Sequence, residues 1–97
     1  MPTARKMVDG VSILLMSDTT TGRSHVVARV RGERIHLGEL FAQVLDDLHF
    51  WLCDPADGVE AWEPERGWPW RQRHATLDTQ QEALEWLVAR GRARGDL

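Results

Sequence analysis

Ninety-seven residues, 42% apolar and 28% charged, suffice for one ordinary globular core and are too few for two. No uninterrupted apolar run exceeds that of Ile13 to Met16, far short of the ~20 residues a membrane-spanning helix needs. No apolar segment follows the basic residues of the N-terminus, and Cys53 is the lone cysteine, so a soluble, cytoplasmic protein without disulfides is expected.

In chain order, residues 1–8 are expected to be loose, 9–91 to form a single α+β domain, and 92–97 to fray. Val11 to Ser17 predicts a strand apolar on both sides, with Val11, Ile13 and Leu15 on one face and Leu14 and Met16 on the other, as befits an inner strand. The polar run Asp18-Thr19-Thr20-Thr21-Gly22 supplies turn chemistry, after which Val26, Ala28 and Val30 alternate with His25, Val27, Arg29 and Arg31 as in a half-buried strand. Arg31-Gly32-Glu33 turns the chain again into a short strand from Arg34 to Leu37, completing an antiparallel meander.

Gly38 to Cys53 carries a helical signature: Leu37, Leu40, Phe41, Val44, Leu45, Leu48, Trp51 and Leu52 fall on one stripe at about 100° per residue, leaving Phe50 off it. Asp54-Pro55-Ala56-Asp57-Gly58 would stop such a helix. Val59 to Trp62 and Trp68 to His74 predict two short strands, the second confined to an edge or bulge by Pro69. Thr79 and Glu82 form a capping box for a second helix to about Arg90, with Leu84, Leu87, Val88 and Gly91 on one face and Trp86 nearly opposite. The expected fold is therefore a two-layer α+β sandwich, an antiparallel sheet with two helices on one face, in the order β-β-β-α-β-β-α.

The formal net charge of −3 conceals a segregation: Ile35 to Glu65 contains Glu39, Asp46, Asp47, Asp54, Asp57, Glu60, Glu63 and Glu65 without one Lys or Arg, while arginines cluster on either side. Such blocks commonly solvate and pair with each other; they also steer charged partners. His49 and Cys53, four apart, would point the same way from a helix, yet the remaining histidines are scattered singly, too few and too far apart for a structural metal site. Acidic neighbours raise a thiol pKa and disfavour a Cys/His nucleophile, and no phosphate loop, nucleophile elbow or dinucleotide fingerprint occurs. Neither catalysis, metal nor cofactor is expected.

Five tryptophans stand beside two phenylalanines and no tyrosine, and Trp62, Trp68 and Trp70 are bunched within nine residues. Paired across a hairpin they would cover a sheet edge; left in water they would anchor a partner, as Trp does at interface hot spots. Phe50 and Trp86, both off their helical patterns, are the stronger docking candidates. The expectation is a non-catalytic protein-binding module, a small regulator, inhibitor or accessory subunit that docks on another protein or a second copy of itself. The alternative is a sheet-face DNA or RNA binder in which Arg29, Arg31, Arg34, Arg71 and Arg73, with His25 and His36, contact phosphates and the Trp rings stack bases. An acidic middle would repel a nucleic-acid backbone unless it faced away.

Overall fold

The computed structural model describes residues 3–56 and 75–97. Six strands form one antiparallel sheet, β1 (Thr3–Val8), β2 (Val11–Asp18), β3 (Arg23–Val30), β4 (Glu33–Leu45), β5 (Leu48–Pro55) and β6 (Ala75–Leu77), in sequential order, and one helix, α1 (Gln80–Ala93), follows. The chain is thus α+β, with one helix rather than two among the described residues.

Three of the hairpins turn through two residues that both have positive φ: Asp9-Gly10 (49° and 79°), Arg31-Gly32 (54° and 81°) and Asp46-Asp47 (49° and 66°). That combination defines the type I′ turn, whose twist matches that of the strands it joins. The β2–β3 connection instead wraps around Asp18, whose carboxylate accepts from Thr20 N (2.9 Å) and Thr21 N (3.4 Å) while its carbonyl accepts from Gly22 N. These backbone bonds hold the Asp18 carboxyl below its ordinary pKa.

The predicted helix over Gly38 to Cys53 is not formed; those residues are the second part of β4, the Asp46-Asp47 turn and most of β5. The physical reason is a two-sided apolar hairpin. Leu40 and Cys53 pair across the strands on the helix side, whereas Phe41 pairs with Leu52 and Leu45 with Leu48 on the other side. With both faces apolar, the period-two alternation disappears and the sequence mimics a broad helical stripe. Phe50 accordingly lies on a strand, opposite Gln43, and was never off a helical pattern. The expected order is corrected in its front half too: Thr3–Val8, expected to be loose, pairs along its whole length with β2, which makes β2 an inner strand.

The main core lies between one sheet face and α1, and Leu14 and Val27 are buried on the other face. Val8, Ile13, Leu15, Val26, Ala28, Leu37, Leu40 and Cys53 from the sheet meet Ala83, Leu84, Leu87 and Val88 from the helix. A β-bulge between Val26 and Val27 lets Leu37 join this set, and the chain beyond it passes through Gly38 at φ 152°. A side chain at Gly38 would place its Cβ 2.2 Å from the Asp54 carbonyl oxygen and 3.0 Å from Leu87 Cδ2, so β4 can approach both β5 and the helix only with glycine there.

α1 begins as predicted, the Thr79 hydroxyl accepting from Glu82 N at 3.1 Å. It runs a turn further than Arg90 and closes with Gly95 N donating to Arg92 O and Asp96 N to Gly91 O, the Schellman pairing. Leu97 then packs against the core, so the segment 92–97 is a structured cap. Lys6 donates to Gln80 and Arg92 donates to the Asp9 carbonyl, tying both ends of the helix to β1 and its turn. The two strands predicted over Val59 to Trp62 and Trp68 to His74 lie outside the described residues.

Candidate protein-docking surface

Strand geometry sends alternate side chains to opposite faces, so the pairing register sorts the sheet surface that α1 leaves uncovered into rows across the strands. At one end Met7, Ser12, Arg29 and Arg34 form a row, followed by Arg5, Leu14, Val27 and His36. In the middle come Met16, His25, Glu39 and Asp54, then Arg23, Phe41 and Leu52. At the far end stand Gln43 with Phe50, and finally Leu45 with Leu48 beside the Asp46-Asp47 turn.

The middle of this surface is closed electrostatically. Glu39 accepts from Arg23 Nη1 at 2.9 Å and faces His25 Nδ1 at 3.3 Å, and Arg23 also lies 3.7 Å from Asp54. The same guanidinium sits 4.8 Å from the centre of the Phe41 ring, and the rings of His25 and His36 are 6.1 Å apart. Each carboxylate here is engaged by a cation, which leaves Glu39 acting as a positioning group for its neighbours.

The two ends differ. Residues 42–49 are exposed throughout, because the β4–β5 hairpin continues past Trp51, where its pairing with β6 ends. The result is a projecting arm whose tip exposes Val44 (59%), Leu45 (63%) and Leu48 (68%) around two aspartates. Met7, 69% exposed, is at the opposite end. Among the described residues Arg5, Arg29 and Arg34 have no ion-pair partner, and Arg29 stands directly across from Arg34.

The sequence-predicted residues fare unequally. Phe50 is half-buried on the face of the arm that turns away from α1. Trp86 is half-buried on α1, packed against the core, with Arg90 5.3 Å above its ring; it is therefore not stranded in water. Trp62, Trp68, Trp70, Arg71 and Arg73 lie outside the described residues. Arg29 and Arg34 share a row, and Arg31 is in the β3–β4 turn beyond it.

His49 and Cys53 separate completely. Four residues of strand put them about 13 Å apart, His49 exposed on the arm and Cys53 buried beneath the helix, its Sγ 3.7 Å from the Ala83 carbonyl. Burial first, and Asp54 second, push the Cys53 thiol up to about 12, which keeps it in the weakly reactive protonated form near neutral pH. Among the described residues no group of three His, Cys, Asp or Glu side chains converges as a metal site would require, and no helix is long and apolar enough to cross a membrane.

Sequence reasoning missed Met7, Leu45, Leu48 and Arg5. The segment Leu45-Asp46-Asp47-Leu48 does hold a hairpin signal, since Asp tolerates positive φ, but without glycine it is weaker than Asp9-Gly10. Comparison of the chain with protein-family models, with curated proteins and with solved structures returns no match in any of the three.

Proposed function

We propose that the chain is a non-catalytic protein-docking module whose contact element is the tip of the β4–β5 arm. The observation that carries this reading is the apolar tip of the arm, where Leu45 and Leu48 pair on one face and Val44 stands on the other, each more than half exposed. Large aliphatic side chains gathered at the end of a regular hairpin add nothing to the chain's own core. Covering each of them is worth about 1.5–3 kcal/mol, and exposed apolar clusters rimmed by charge mark interaction sites. Pairing of the His and carboxylate side chains at the centre of the face supports a recognition surface over a reactive one.

The test is affinity capture with wild type and Leu45→Ser/Leu48→Ser, the bait challenged both with a differently tagged copy of the chain and with extract of the source cells. The reading expects the wild type to retain a polypeptide in near-stoichiometric amount that the double variant loses while its circular dichroism is unchanged. A variant that retains whatever the wild type retains contradicts it.

A further inference from the structure

We infer that the β3–β4 end of the sheet binds a single-stranded nucleic acid, with Arg29, Arg31 and Arg34 contacting phosphates and the His36 ring taking a base. This second site is independent of the arm tip.

The arginines carry the inference. Arg29 stands directly across from Arg34 on the face turned away from α1, and Arg31 occupies the two-residue turn between their strands. All three are exposed, and among the described residues none has an ion-pair partner. Like charges directly opposite each other destabilise a strand pair, so the isolated chain gains nothing from this arrangement. An anion bridging the two guanidinium groups removes the repulsion and adds charge-assisted hydrogen bonds. Guanidinium forks match phosphate oxygens two at a time, which a lysine ammonium does not.

Acidic groups stand apart from this end. Glu33 pairs with Val30 and so faces the other side of the sheet. Glu39 and Asp54, in the middle rows, lie 2.9 and 3.7 Å from Arg23. Asp46 and Asp47 follow Leu45, which is about 36 Å from Arg34 at 3.3 Å per residue, several screening lengths of about 8 Å at physiological salt. Arg5 lies beyond the buried Leu14 and Val27 and stands outside the site.

Two features favour a single strand. Reading a duplex takes a helix or a two-stranded ribbon that enters a groove, whereas β3 is flanked by β2 as far as the Ser12 and Arg29 pair, so the β3–β4 turn does not project as a ribbon. His36, two residues along β4 from Arg34 on the same face, holds an exposed ring about 6.6 Å further on, where an unstacked base lies against it. A base inside a duplex has no free face to offer, and an acidic peptide would engage the arginines but leave His36 unused.

Fluorescence anisotropy of labelled single-stranded DNA and RNA oligonucleotides of mixed sequence tests it, the full chain being titrated in at a series of salt concentrations. One phosphate per arginine predicts that log K falls against log salt with a slope of about −2, at about 0.7 per contact. Arg29→Gln/Arg34→Gln should weaken binding at least about tenfold at low salt and flatten the slope to about −0.7, while its urea midpoint equals or exceeds that of wild type because the cross-strand repulsion is gone. His36→Ala should weaken single-strand binding at least about fivefold with the slope unchanged, and His36→Phe should retain it. Absence of binding at low salt, binding that either Arg29→Gln/Arg34→Gln or His36→Ala keeps in full, or a duplex bound as tightly as the single strand would each overturn the inference. So would polyglutamate that displaces the oligonucleotide at equal charge concentration, which would assign this end to an acidic polypeptide. Leu45→Ser/Leu48→Ser should bind the oligonucleotide as wild type does, so that its loss of a captured polypeptide bears on the arm tip alone.

Discussion

Asp47→Gly separates the hairpin from the helix that the sequence imitates, because its effect on stability has opposite sign in the two. Asp47 occupies the second position of the type I′ turn at φ 66°. Left-handed backbone costs an ordinary L-residue roughly 1–2 kcal/mol, less for Asp, whose short side chain bonds locally. Glycine removes that cost but loses more backbone freedom on folding, by roughly 0.5–1 kcal/mol. The balance favours glycine in a turn that demands positive φ at both central positions, by about 0.5 kcal/mol net. Were residues 38–53 helical, glycine would instead be the poorer residue by a few tenths of a kcal/mol. Urea unfolding followed by tryptophan fluorescence, at a concentration where the oligomeric state is constant, reads the difference. With a slope of about 1–2 kcal/mol/M the midpoint should rise by about 0.3–0.5 M. A falling midpoint would refute the hairpin assignment.

Gly38→Ala should lower stability by about 2–4 kcal/mol, the joint cost of a strained φ and of displacing the Asp54 carbonyl from a Cβ 2.2 Å away; an unchanged urea midpoint would show that β4 does not pass Asp54 and Leu87 as described. Thr79→Ala removes the cap that accepts from Glu82 N and should cost about 1 kcal/mol, seen as an earlier thermal midpoint by circular dichroism. The Cys53 thiol is raised in the folded chain from 9.0 to about 12, so its contribution to stability is complete below pH 9 and declines as pH climbs toward 12. Between about pH 8 and about pH 10.5 the wild type should therefore lose more stability than Cys53→Ala, and a native thiol should react with an aromatic disulfide no faster than the protein unfolds. Equal losses in both chains, or rapid modification of the native thiol, would contradict the burial of Cys53 beneath α1.

Local chemistry made some elements legible. The period-two alternation from Val26 to Val30, the glycine of the Arg31-Gly32 turn and the Thr79/Glu82 box each act within a few residues, and each is where the sequence predicts it. The β4–β5 hairpin was hidden because its burial is a tertiary fact. Leu40 and Cys53 face a helix some thirty residues away, while Phe41 and Leu52 face outward, and no window shorter than that separation distinguishes two apolar strand faces from one helical stripe. The same misreading concealed the exposed apolar tip proposed to dock. Leu45 and Leu48 pass for core residues on a helix, yet across a two-residue turn they become a pair at the end of a projecting arm. Trp86, conspicuous as an outlier on its helix, is packed against the core with Arg90 over its ring, so its exposure could not be judged from periodicity alone.

Backbone amide shifts recorded by NMR as a polypeptide retained by the wild type is titrated into the labelled chain test the central claim most directly, since they report which residues gain a neighbour on binding. The account predicts that the shifts concentrate at the arm tip, Val44 to Leu48, and reach half their range at a single concentration. Arm-tip signals indifferent to the titration, or changes centred on the exposed residues of α1 such as Glu82 and Ala89, would contradict it.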